Sequence, residues 1–257
     1  MDGDPLSAQP GDWEPPLKFE ERLKALVPPS ARIAYLHAKN LRKGEAELAL
    51  VPFLANRERI SVDVGANQGV YAYAMLPHSR AVHAFEPNPK LFRMLSAWAS
   101  ARCVLHREAL SNASGAAELL IPRGHSGGFS NQGASLSAVK VSGDHRKVSV
   151  QAVRLDDLAL GDIGFMKVDV EGFELQVLEG AAETLRRDRP NLLIEMEERH
   201  TGMALPDMVR TVCAYGYDAF ALVDGTLTPF GRMDVEARHR KPARPGDYVF
   251  NFIFLPA

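Results

Sequence analysis

The stretch "RISVDVGANQGVYAYAM", Arg59 to Met75, decides how the chain is organised. Ile60 to Val64 is mostly β-branched and apolar and reads as a strand. Val70 to Leu76 reads as a short helix. Between them lies Gly65-Ala66-Asn67-Gln68-Gly69, and a glycine turn from strand to helix is where doubly wound folds receive a nucleotide. The dinucleotide fingerprint needs G-x-G-x-x-G, which this spacing does not supply. Asp63 stands at the strand's end, two residues before Gly65. A carboxylate there repels a pyrophosphate and suits a ligand that brings a cation to that spot.

Further along, Ala81 to Phe85 reads as the next strand and runs into "HAFEP". Glu86 then lies where ribose hydroxyls want an acceptor. Asp63 and the glycine spacing together favour S-adenosylmethionine, whose amine and sulfonium are cationic, over a nicotinamide dinucleotide, while Glu86 alone suits either. Strand and helix signals go on alternating. A helix is expected over Lys90 to Ala99 with Pro89 in its first turn, and a strand over Cys103 to Leu110. Strands follow at Phe165 to Val170 and Leu192 to Met196, with helices over Glu174 to Leu185 and around Pro206 to Tyr215. Ala219 to Val223 and Val249 to Leu255 are expected as an antiparallel closing pair, joined by a basic, proline-containing segment. This alternation implies an α/β fold with a mostly parallel sheet covered on both faces.

Outside that core three regions differ. Residues 1–16 are acidic and proline-rich and are expected to form a flexible arm. Residues 17–56 carry apolar residues at helical spacing, broken at Pro28-Pro29-Ser30 with Ser30 as a candidate N-cap. They read as a helical extension packed on a main domain over 57–257. The middle stretch "GAAELLIPRGHSGGFSNQGASLSAV" is rich in Gly, Ser and Asn, and Gly124 to Ser137 is expected to act as a lid that orders over an acceptor.

The 257 residues carry a formal net charge of −2, without the basic excess typical of nucleic-acid binders. No apolar run reaches the roughly 20 residues of a membrane helix, and the start lacks the features of a signal peptide. A cytoplasmic location is the expectation. Cys103 and Cys213 sit in apolar runs and read as buried thiols.

Four motifs, "DVGANQG", "HAFEPNP", "EALSNASG" and "KVDVEGFELQVLEGA", resemble successive motifs of the FkbM-type methyltransferases. The upstream "LRKGEAELALV" resembles the segment that leads into their domain. The likeness runs in order from about Leu41 to Glu197. It implies a class I methyltransferase (Rossmann-like) fold, a seven-stranded sheet with one antiparallel strand. It also implies S-adenosylmethionine as cofactor and a hydroxyl of a sugar, polyketide or related metabolite as acceptor. Carried over by position, Asp63, Gly65, Asn67 and Gly69 would hold the methionine part. Glu86 would take the ribose with Asn88 nearby, and Ala109, Leu110 and Ser111 would border the adenine.

The segment "FMKVDVEGFE" lies where the transferred methyl should be. Strand alternation would put Lys167, Asp169 and Glu171 on one side, with Asp169 the natural partner of a buried lysine. Asp169 is the first choice to orient the acceptor hydroxyl. Glu171, Glu195 and His200 are the candidate helpers or base, His200 being equally readable as a surface helix residue. A divalent metal, if one is used, would take Asp169 and Glu195. Two other functions remain open: a 2′-hydroxyl methyltransferase of nucleic acid, for which a basic face is wanting, and a non-catalytic module that keeps the donor site.

Overall fold

The computed structural model describes residues 15–16, 26–123, 129, 133–136 and 144–257. The expected arm over 1–16, except Pro15 and Pro16, lies outside the described residues. So do residues 17–25 of the helical extension and most of the expected lid.

The strand read from the opening stretch is present as β1 (Ile60–Val64). It pairs in parallel with β2 (Ala81–Phe85) on one side and β7 (Ile163–Val168) on the other. Every residue of β7 is buried, as expected of a strand covered on both faces. β3 (Cys103–His106) lies beyond β2, and β8 (Asn191–Glu195) beyond β7. The chain closes with β9 (Tyr217–Val223) and β11 (Asn251–Pro256). β11 inserts antiparallel between β8 and β9, so the expected closing pair is formed. The order β9-β11-β8-β7-β1-β2-β3 contains the seven strands of the expected sheet, with β11 alone reversed. An eighth strand, β10 (Thr226–Pro229), folds back on β9 at the edge, inside a segment whose sequence carries no strand run of its own.

Helices cover both faces. α1 (Pro29–Lys43) begins on Pro28 rather than Ser30, which lies inside the helix. α2 (Val51–Leu54), α3 (Val70–Met75) and α4 (Pro89–Ser96) follow. Their Val51, Leu54, Ala72, Met75 and Leu95 pack with Phe165 and Leu193 of the sheet. The opposite face carries α5 (Glu174–Glu179), α6 (Ala182–Asp188) and α8 (Leu205–Cys213). There Val177, Leu185, Met208 and Val212 pack with Val62, Met166 and Ile194. Alternation along the strands thus sends Asp63 and Lys167 to the side of α2–α4.

Two expected elements are divided. The single helix over Glu174 to Leu185 breaks at Gly180–Ala181, where a side chain on Gly180 would strike the Ser111 carbonyl at 1.9 Å. The strand over Cys103 to Leu110 also splits. Ala109–Leu110 (β4) joins a second sheet, β4-β6-β5, with β5 (Gly115–Pro122) and β6 (His145–Val153). Cys103 and Cys213 are free thiols; Cys103 is buried as expected, whereas Cys213 is only half-buried. No helix among the described residues is long and apolar enough to cross a membrane.

Candidate active site

Asp63 on β1 stands in register with Lys167 on β7, and both are almost fully buried. Lys167 Nζ donates to Asp169 Oδ2 at 2.5 Å and lies 4.9 Å from the centre of the Tyr71 ring. Burial works against this ammonium, but Asp169, Glu45 and Asp63 outweigh it and hold its pKa above the usual lysine range. Asp63 is less well served. Among the described residues neither carboxylate oxygen has a well-formed hydrogen bond, although the Ala72 N–H favours the charged form. Burial lifts its pKa to about 6 against the pull of Lys167.

The glycine turn is tied to the second strand. The N–H groups of Gly65 and Ala66 both donate to the Phe85 carbonyl at 3.0 Å. Glu86 Oε2 accepts from Asn67 N–H at 2.7 Å, and Oε1 from Asn88 N–H at 2.9 Å. These bonds hold Asn67 at φ 54, an uncommon conformation for a residue with a side chain. Burial raises the Glu86 pKa to about 7, in opposition to those two N–H groups. Each oxygen retains a lone pair for a further donor. The glycines have a structural reason. A Cβ on Gly65 (φ 76) would lie 1.9 Å from the Asp169 carbonyl oxygen. On Gly69 (φ 86) it would lie 2.2 Å from Trp98 Cζ2 and 2.4 Å from Leu95 Cδ1. These glycines permit close approach to the end of β7 and to the Leu95–Trp98 region.

The chain leaves β7 at Val168 and turns through Glu171 (φ 59) and Gly172 (φ 97). Strand alternation therefore does not extend to Glu171, as the sequence suggested it would. Glu174 braces the turn: its Oε1 accepts from Gly172 N–H at 2.9 Å and from Val170 N–H at 3.2 Å. Burial brings the Glu174 pKa to about 7. A Cβ on Gly172 would meet the His200 carbonyl at 2.6 Å, so this turn packs on α7 (Glu198–Thr201). Glu171 Oε2 then lies 3.5 Å from His200 Nδ1, and His200 Nε2 lies 3.8 Å from Glu197 Oε1. His200 is buried, which removes the surface reading. Glu197 is held by Arg199 and by the Tyr248 hydroxyl, which donates at 2.6 Å. Glu195, at the end of β8, has its pKa driven far above the carboxylate range by burial and then by Asp169, Glu171 and Glu197, with Lys167 opposing.

One cavity of about 640 Å³ joins these parts, within the ordinary range for small-molecule sites. Of the expected donor residues, Asp63, Gly65, Asn67, Glu86, Ala109 and Leu110 line it. Gly69, Asn88 and Ser111 do not. Asn88 instead caps α4, its Oδ1 accepting from Lys90 N–H, and Ser111 donates to Asn112. All four candidate catalytic residues, Asp169, Glu171, Glu195 and His200, line the cavity. Among the described residues Glu195, Glu171 and His200 bring ligating atoms within 4.8 Å of one another, a set of three that shares Glu195 but not Asp169 with the expected metal pair; Asp169 Oδ2 is bonded to Lys167.

The sequence pointed to the far wall through the expected lid but named none of its other residues. Leu36 and Asn40 of α1 line it, as do Glu45, Tyr71, Phe250 and residues 133–136. Glu45 Oε2 accepts from the Tyr71 hydroxyl at 2.8 Å and from Asn251 Nδ2 at 3.1 Å. The available signal was an acid directly after the helix-ending Gly44, inside "LRKGEAELALV". The described piece of the middle loop is fixed to the site. Ser135 pairs with Leu120 through two backbone bonds, and its hydroxyl donates to the Glu171 carbonyl at 2.8 Å.

The donor end fits a cationic nucleoside. An unpartnered buried carboxylate, Asp63, forms part of the wall, and Glu86 offers its spare lone pairs at the cavity surface. A sheet of this order with a glycine turn after β1 and an acid after β2 defines the class I S-adenosylmethionine methyltransferases. Residues 63–219, more than half of the chain, match the family model described as the methyltransferase FkbM domain. The chain belongs to this family, whose members take a methyl group from S-adenosylmethionine. Among solved structures it is similar to the methyltransferase FkbM from Methylobacillus flagellatus KT, with 16% identity, a TM-score of 0.50, and 77% of this chain and 44% of that one covered. The chain thus spans less than half the length of that relative. It is similar in the same way to an rRNA methylase from Streptococcus thermophilus (11% identity, TM-score 0.47, 82% and 94% covered). A TehB-like SAM-dependent methyltransferase from Corynebacterium glutamicum also matches (12% identity, TM-score 0.45, 89% and 98% covered). Among curated proteins none matches the chain in sequence.

Proposed function

We propose that the protein transfers a methyl group from S-adenosylmethionine to a hydroxyl of a small, uncharged or cationic molecule such as a sugar or polyketide. The charge of the cavity carries this reading. Among the described residues seven acidic side chains line it, from Glu45, Asp63, Glu86, Asp169, Glu171, Glu195 and Glu197, against the cations Lys167 and Arg199 and one histidine, and even with Glu195 held protonated by burial the acids outnumber the cations. Such a wall attracts a sulfonium donor and repels phosphates. A polyanionic acceptor, nucleic acid above all, is disfavoured on the same ground. A module that only binds the donor has no use for a carboxylate-lined space beyond the donor end.

When bound, the donor supplies an electrophilic methyl on a good leaving group. The chain's task is to align an oxygen with it and to remove a proton. The donor end is assigned to Asp63, Gly65, Asn67, Glu86, Ala109 and Leu110, with Gly69, Asn88 and Ser111 supporting them from behind. Asp169 is the residue to orient the acceptor hydroxyl. Its Oδ2 is bonded to Lys167, and its Oδ1 accepts no hydrogen bond among the described residues. His200, between Glu171 and Glu197, is placed to take the proton, with Glu195 beside it. The test is mass spectrometry of a panel of hydroxylated amines, sugars and polyketides incubated with donor. A gain of one methyl group on a hydroxyl supports the reading. Methylation confined to phosphorylated or RNA substrates defeats it.

A further inference from the structure

The geometry points to a divalent metal site at the acceptor end, formed by Glu171, Glu195 and His200. Three features carry it. First, one ligating atom from each of the three residues falls within 4.8 Å of the other two, close enough for all three to bind a single ion. Second, His200 is oriented as metal-bound histidines are. Nδ1 faces the Glu171 carboxylate at 3.5 Å, while Nε2 faces Glu197 at 3.8 Å. A ligating imidazole commonly turns its second nitrogen to a carboxylate that fixes its tautomer. Glu197 is itself fixed by Arg199 and Tyr248, so it serves as an outer support and not as a ligand. Third, Glu195 has no hydrogen bond or ion pair among the described residues, although it sits in a largely dry wall facing further acids. The nearby cations are already committed, Lys167 to Asp169 and Arg199 to Glu197. Two carboxylates and one imidazole suit a first-row ion such as Mn²⁺ better than Ca²⁺, which prefers oxygen ligands throughout.

The inference deepens the proposed function and rests on its reading of this wall as the acceptor end. A metal here would polarise the acceptor hydroxyl and ease loss of its proton to solvent, and His200 would then serve as a ligand in place of its role as the base. Asp169 is not one of the three, its Oδ2 being bonded to Lys167.

Mn²⁺ itself is the probe, titrated into the metal-stripped full chain and followed by electron paramagnetic resonance. One saturable site per chain is expected, with affinity reduced at least tenfold in Glu195→Gln and in His200→Gln. S-adenosylhomocysteine calorimetry on the same samples reports whether the donor end is intact. Absence of saturable Mn²⁺ binding in a wild-type protein that still binds S-adenosylhomocysteine overturns the metal site and leaves the methyltransferase reading standing. Equal Mn²⁺ affinity in wild type and both variants also overturns it, since the ion then lies elsewhere. Should one variant fold poorly by its melting curve, the other decides.

Discussion

At the donor end of the cavity the backbone does the holding. The N–H groups of Gly65 and Ala66 meet the Phe85 carbonyl, and those of Asn67 and Asn88 meet Glu86. At the acceptor end side chains do it, and they come from remote stretches: Glu45 after α1, Ser135 in the middle loop, Glu171 after β7, His200 on α7 and Asn251 on β11. The first end is sterically rigid, because its glycines have no room for a Cβ. The second is electrostatically loaded, with acids facing one another in a mostly dry wall. Binding the same donor in many enzymes requires a fixed frame. Choosing an acceptor requires a wall that can be rebuilt piece by piece.

The sharpest way to break this contrast is a side chain in the turn. Gly65→Val places a Cβ on the Asp169 carbonyl at a positive φ, and a loss of stability of roughly 3 kcal/mol or more is expected from overpacking and backbone strain combined. Thermal melting checks it, and a variant as stable as wild type would show that the turn is not rigid. Asp169→Asn separates the two ends differently. It removes the charge that pairs with Lys167, so turnover should fall by two orders of magnitude or more, on the order of an acid–base or orienting contribution. Donor affinity should change little, as read by calorimetry beside initial rates on an identified acceptor.

How far the sequence foretold each end follows the same division. Strand, glycine turn and acid after the next strand are close in sequence, so their pattern revealed the fold and the place of Asp63 and Glu86. The reason for Gly69 was hidden, because Trp98 fills that space from a region that only the fold brings near. Glu171 was assigned by strand alternation, which stops at Val168, and the left-handed turn that follows has no signature beyond Gly172. Glu45 and Tyr71 meet across 26 residues, and Glu45 and Asn251 across 206, distances over which local pattern carries no information. β10 escaped because its short, exposed sequence gains its strand conformation only by pairing with β9.

Protonation offers a gentler comparison. Asp63 is raised to about 6, and SAM binding needs its charge, so affinity should weaken about tenfold between pH 7 and pH 5. Calorimetry at the two pH values tests this, and a flat profile would remove Asp63 from donor binding. The ligand-free protein should respond in the opposite sense. Asp63, Glu86 and Glu174 bind their protons more tightly folded than unfolded, with folded values of about 6, 7 and 7. Their contribution to stability is complete below the unfolded carboxylate range of about pH 4 and is lost as pH rises through 6 to 7. Melting temperature should therefore fall from pH 5 to pH 8 by a few degrees, and less steeply in Glu174→Gln.

The most direct test of the account is calorimetric titration of S-adenosylhomocysteine into wild type, Glu86→Ala and Glu195→Gln. The account places donor recognition at the glycine turn and Glu86, and leaves Glu195 to the acceptor. It predicts one saturable site in wild type and Glu195→Gln with similar affinity. In Glu86→Ala the loss of charge-assisted hydrogen bonds, worth roughly 1.5–3 kcal/mol, should weaken binding about tenfold to a hundredfold. A wild-type protein that does not bind, or a Glu195→Gln variant that loses as much affinity as Glu86→Ala, would contradict it.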